Sequence, residues 1–157
     1  MWNRTRQIIL SDAEKDISKI NFQKERILNA FKKGYKRQWI LHHDADFYFI
    51  LIRRLYRQIE TESVTISKVA NLKGKYKDLF KKIKIRDSYE HNEDLNLPSS
   101  NLKIVNSVMV NLTSGKITMK VLSGIYVWDL AADHEQFLKA FSEYIQLKLD
   151  EIDVQYT

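Results

Sequence analysis

Trp39-Ile40-Leu41-His42-His43-Asp44-Ala45-Asp46-Phe47-Tyr48-Phe49-Ile50-Leu51-Ile52-Arg53-Arg54-Leu55-Tyr56-Arg57-Gln58-Ile59 is apolar on almost every side of a helical wheel. Leu41, Ala45, Tyr48, Leu51 or Ile52, Leu55 and Ile59 recur every three or four positions and form one stripe. Phe47, Phe49 and Ile50 fall beside that stripe and widen it. A helix that is apolar nearly all round is either enclosed by other helices or carries an interface. The stretch therefore predicts a helical bundle built around a central helix of about 39–60, with Asp44 as a plausible cap.

The segments on either side extend the bundle. Upstream, Ser11-Asp12-Ala13-Glu14 has capping-box spacing, and Leu10, Ala13, Ile17, Ile20, Ile27 and Phe31 follow at helical intervals. They predict a helix of about 11–34, with Gly34 near its end. Downstream, Ile66, Val69, Leu72, Tyr76, Leu79, Phe80 and Ile83 predict a third helix of about 63–94. Its outward face carries Lys68, Lys73, Lys75, Lys77, Lys81, Lys82 and Lys84.

The texture changes at Leu97-Pro98-Ser99-Ser100-Asn101, which reads as a loop. β-branched and partly alternating residues follow, interrupted by turn residues at Asn111–Gly115 and at Ser123-Gly124. They predict a β-hairpin or small meander over about 102–128. A last helix of about 133–152 has Asp133 as its expected cap, and Phe137, Phe141, Tyr144 or Ile145, Leu149 and Ile152 as its apolar stripe. The fold class is thus mainly α: helix, helix, helix, hairpin, helix, in a single domain over 1–157.

Composition agrees. The chain has 157 residues, 44% of them hydrophobic, with one Pro and four Gly. So few breakers favour long helices. There is no Cys, which excludes disulfides and thiolate metal sites. No stretch approaches the roughly 18 apolar residues of a membrane span, so a cytoplasmic protein without membrane attachment is expected. Charge is unevenly spread. Residues 1–86 hold 21 Lys or Arg against 9 Asp or Glu, and residues 87–157 hold 5 against 11. The basic half could meet a polyanion, or the two halves could pack and compensate each other.

Four His restrict the search for chemistry. His42-His43-Asp44 is the densest polar cluster. Metal-dependent phosphohydrolases use a His-Asp pair, but a metal needs at least three converging ligands, and none stands in a matching motif here. A polar helix entry is the simpler expectation. His134 falls in the first turn of the last helix and is expected at the surface.

Arg86-Asp87-Ser88-Tyr89-Glu90-His91 is richer. On a helix Asp87 and His91 share a face, as do Arg86 and Glu90. A carboxylate so placed can orient an imidazole and raise its basicity. Arg86 can bind phosphate with two hydrogen bonds, and His91 can move a proton near neutral pH. Two ordinary surface salt bridges would have the same spacing.

An Arg, then a polar residue, then a His four to six positions after the Arg, late in a helix of a small bundle, is the signature of the HEPN superfamily. Arg86 to His91 resembles it, with Asp87 in the polar position, and the element order resembles a HEPN bundle with a hairpin inserted before the last helix. The resemblance implies a metal-independent, cofactor-free endoribonuclease of toxin–antitoxin or phage-defence type. It also implies a homodimer with an antitoxin or other protein partner. In that reading the ribose 2′-OH attacks the adjacent phosphorus and His91 is the general acid or base. Arg86 stabilises the phosphoryl oxygens and Asp87 orients His91. Lys81, Lys82 and Lys84 guide the RNA backbone, and Tyr89 stacks on a base or joins the core. Glu90, Glu93 and Asp94 place negative charge beside that site. The alternative is a non-catalytic dimeric module that binds nucleotide or protein.

Overall fold

Helix α1 spans Trp2–Lys32 and helix α2 spans Gln38–Ser63. Two shorter helices follow, α3 over Ser67–Lys75 and α4 over Lys77–Glu90. Strands β1 (Met109–Thr113), β2 (Lys116–Val121) and β3 (Gly124–Asp129) precede the last helix, α5 (Ala132–Tyr156). The computed structural model describes residues 2–32, 38–90, 109–113, 115–121 and 124–156. The protein is mainly helical, with a small antiparallel meander ahead of its C-terminal helix.

The near-continuous apolar surface of α2 is used. It packs against α1, α3, α4 and α5, and Tyr48, Phe49, Ile52, Leu55, Tyr56 and Ile59 are all buried. Burying one such side chain contributes about 1.5–3 kcal/mol, against roughly 0–1 kcal/mol for an exposed ion pair. The central row of α2 therefore outweighs the surface ion pairs. α1 presents Ala13, Ile20 and Ile27 to this core, one from every second turn. α5 adds Phe137, Ala140, Phe141, Tyr144 and Leu149.

The sheet order is β1-β2-β3, antiparallel throughout. Ile117 and Met119 alternate along β2 and face inward, as the two-residue period of a strand requires, and Trp128 of β3 joins them in the core. Gly115 turns the chain between β1 and β2 with φ +76°, a conformation that L side chains rarely adopt. β3 contacts both α4 and α5, so the meander closes one side of the bundle.

Several expected boundaries move. α1 starts at Trp2 rather than near 11, and Ser11 lies inside it. The indole N–H of Trp2 and the guanidinium of Arg6 both reach Asp153 of α5, at 3.1 and 2.6 Å. These tertiary contacts carry the helix past the local capping signal. Asp44 lies more than one turn inside α2 and caps nothing. It accepts a hydrogen bond from Gln23 (3.2 Å) and pairs with Arg26 of α1 (3.3 Å).

The third helix is two helices. The chain turns at Val64 and Thr65, then breaks again at Tyr76, whose backbone leaves the helical region (φ −108°, ψ 25°). Tyr76 donates to Glu143 of α5 at 2.9 Å, and Lys75 donates to the same carboxylate at 3.1 Å. This anchor and the weak helix former Gly74 sit together at the break. The last helix is capped by Asp129, not Asp133. Asp129 accepts from the backbone N–H groups of Ala131 (2.7 Å) and Ala132 (3.1 Å), which lowers its pKa. Asp133 returns the favour by accepting the N–H of Asp129 at 2.8 Å. The expected loop at 97–101, the stretch 102–108 of the hairpin and residues 91–94 of the third helix lie outside the described residues.

Candidate functional site

α4 carries the Lys-rich face and ends the described helical stretch at Glu90, so Arg86 falls in its penultimate turn. Arg86 is only 3% exposed. Its guanidinium pairs with the carboxylate of Asp46 on α2 and lies over the Phe49 ring, 5.6 Å from the centroid. The side chain of Asp46 is 44% exposed, so the ion pair sits at the edge of the core. Asp87 and Tyr89 follow in the helical backbone of α4, and His91 lies outside the described residues.

The three lysines have intramolecular partners. Lys82 pairs with Asp133 at the start of α5 (2.9 Å). Lys84 pairs with Glu60 of α2 (3.1 Å), which also lies 3.8 Å from Lys73. Lys81 is exposed and sits over the ring of Tyr126 in β3, 5.4 Å from its centroid. Arg86, Lys82 and Lys84 thus tie α4 to α2 and α5, while Lys81 touches the sheet.

His43 is exposed, and Asp44 is engaged by Gln23 and Arg26. Among the described residues no three His, Asp or Glu side chains converge as metal ligands.

His134, expected at the surface, is fully buried. Its Nε2 lies 2.7 Å from the side-chain oxygen of Asn21 on α1, and its Nδ1 lies 3.0 Å from the Tyr48 hydroxyl on α2. Trp128 of β3 donates its indole N–H to the same hydroxyl at 3.1 Å. The direction of the chain follows from the donor inventory. The Asn21 oxygen only accepts, so Nε2 carries the proton and Nδ1 accepts from Tyr48. One neutral imidazole therefore joins α1, α2, β3 and α5. Burial, assisted by the charge of Lys24, lowers the His134 pKa to about 4. Burial pushes the Tyr48 hydroxyl far up, opposed by the Trp128 hydrogen bond. Each ring nitrogen and the Tyr48 hydroxyl are engaged within the fold, so the chain of hydrogen bonds fixes the core.

The signal for His134 was present. Positions 134, 137, 141 and 144 follow the three-four-three spacing of the α5 core stripe. Compared with family models, with curated proteins and with solved structures, the chain matches none.

Proposed function

We propose that this chain is a HEPN-like, metal-independent endoribonuclease acting as a homodimer, with Arg86 and His91 as its reacting pair. The observation that carries the reading is the position of Arg86. It stands in the penultimate turn of a Lys-rich helix, five residues before His91. Its guanidinium is turned inward to Asp46 and Phe49, so contact with a phosphate requires it to leave Asp46. In the reaction the 2′-oxygen bonds to phosphorus and the 5′-oxygen leaves. One proton is taken from the 2′-OH and one is delivered to the 5′-oxygen, with His91 serving one of these transfers. Arg86 offsets the charge that builds on the phosphoryl oxygens.

The test is incubation of the purified protein with mixed cellular RNA in EDTA, beside the His91→Ala variant. Cleavage by the parent and not by the variant supports the reading. Equal cleavage by both, or none by the parent, removes it.

The inward pairing of Arg86, Lys82 and Lys84 favours a second reading, a non-catalytic module in which these residues hold α4 in place. In that case His91→Ala leaves ligand binding and stability unchanged, whereas Arg86→Ala lowers stability.

A further inference from the structure

Two open clefts, of about 320 and 350 Å³, adjoin each other between α1, α2 and α5 and share Gln58 and Lys148. Lys15 and Lys19 of α1 line the first, and Arg54 and Arg57 of α2 line the second. The three basic residues of α2, Arg53, Arg54 and Arg57, all fall within five positions. Lys15, Lys19 and Arg54 form no ion pair with the other described residues. The carboxylate of the second cleft, Glu62, is held by Lys148 at 3.0 Å. Asp12 and Asp16 border the first cleft, so five cations face three carboxylates across the pair.

We infer that these clefts are a binding track for the phosphodiester backbone of single-stranded RNA, with Arg54 and Arg57 as its principal phosphate contacts. The inference rests on the RNA reading above and adds a site away from Arg86. Two adjoining open clefts suit an extended chain, whereas a compact ligand is usually enclosed over most of its surface. Among the described residues none of the large exposed apolar side chains borders them, so the described surface there lacks the apolar anchors of a membrane-docking face. Fork-shaped guanidinium groups match phosphate oxygens well.

The test uses the full chain carrying His91→Ala, so that bound RNA stays intact, and a fluorescein-labelled oligouridylate read by anisotropy. Arg54→Gln/Arg57→Gln in that chain is expected to weaken binding about tenfold at low salt. Each lost contact flattens the salt dependence by about 0.7 in log K per log salt. The parent's advantage should therefore shrink about sevenfold between about 50 and about 200 mM salt. Both side chains are exposed, and the circular dichroism of the variant at the assay temperature is expected to match the parent, so that lost binding reports the clefts and not unfolding. Arg4→Gln/Lys32→Gln removes the same charge from the ends of α1 and should leave binding nearly unchanged. Equal binding by the Arg54/Arg57 variant overturns the track and leaves the RNA reading standing. An equal loss in the Arg4/Lys32 variant also overturns it, because net charge alone then accounts for the affinity. Binding to phosphatidylserine vesicles without binding to RNA overturns it in favour of a lipid surface. If the oligonucleotide is not bound and EDTA-resistant cleavage is also absent, the track and the RNA reading fall together.

Discussion

His134 shows how one side chain can tie four elements together. Its two ring nitrogens and the Tyr48 hydroxyl satisfy each other between Asn21 and Trp128. A buried donor or acceptor left without its partner costs about 1–3 kcal/mol. Tyr48→Phe strands both the Trp128 N–H and His134 Nδ1, so we expect a loss of about 2–4 kcal/mol in urea unfolding. An unchanged midpoint would show that the hydroxyl is not the junction described. Arg86→Ala removes the guanidinium from Phe49 and leaves Asp46 without its partner. Because Asp46 is partly solvated, the expected loss is about 1–3 kcal/mol, below the roughly 3–5 kcal/mol of a fully buried broken pair. Arg86 was legible as a candidate from its motif, but its burial was not. Nothing local marks an Arg for the core when its counter-charge lies forty residues upstream. For His134 the two local signals conflict: its place in the first turn of a helix predicts the surface, whereas the apolar spacing that includes it leads to the core, where it lies.

At the scale of elements, periodicity identified the helices and the meander, because each helix places its apolar residues three and four apart and β2 alternates. Boundaries were less legible, since Asp153, Glu143 and Asp129 set them from elsewhere in the fold or by turns without a simple signature. Two glycines separate local from tertiary constraint. A Cβ at Gly74 meets nothing within 4 Å, so Gly74→Ala should stabilise the protein by about 0.5–1 kcal/mol through helix propensity. A Cβ at Gly115 meets Leu28 of α1 at 3.2 Å, and the residue has φ +76°. The Leu28 side chain can yield, but the backbone strain remains, so Gly115→Ala should cost about 1–2 kcal/mol. Thermal unfolding of the two variants should shift in opposite directions. Shifts of the same sign would contradict the account of the β1–β2 turn.

For the molecule as a whole, the buried imidazole couples stability to pH. The His134 pKa is lowered from 6.5 to about 4 in the fold, so the unfolded chain binds the proton first. Stability from this group is complete above about pH 6.5 and declines as pH falls toward 4. Between pH 6.5 and about 5 the decline lies above the range in which most carboxylates titrate. His134→Gln should flatten it there, and a variant that tracks the parent across that window would contradict the neutral imidazole. Among the described residues no helix is long and apolar enough to cross a membrane. The uneven charge visible in the sequence is partly spent inside the fold: Lys82 and Lys148 meet carboxylates, whereas Lys15, Lys19 and Arg54 make no ion pair among the described residues.

In the proposed reaction Arg86 and His91 cleave RNA by attack of its own 2′-OH without a metal. An RNA cleaved by the protein in EDTA, and the same RNA carrying a single 2′-deoxyribose at the cleavage site, test it most directly. The all-ribose strand is expected to yield a 2′,3′-cyclic phosphate and a 5′-hydroxyl, and the deoxy-substituted strand to stay intact at that position. Cleavage of the deoxy-substituted strand at the same bond, or an all-ribose strand left whole, would contradict it.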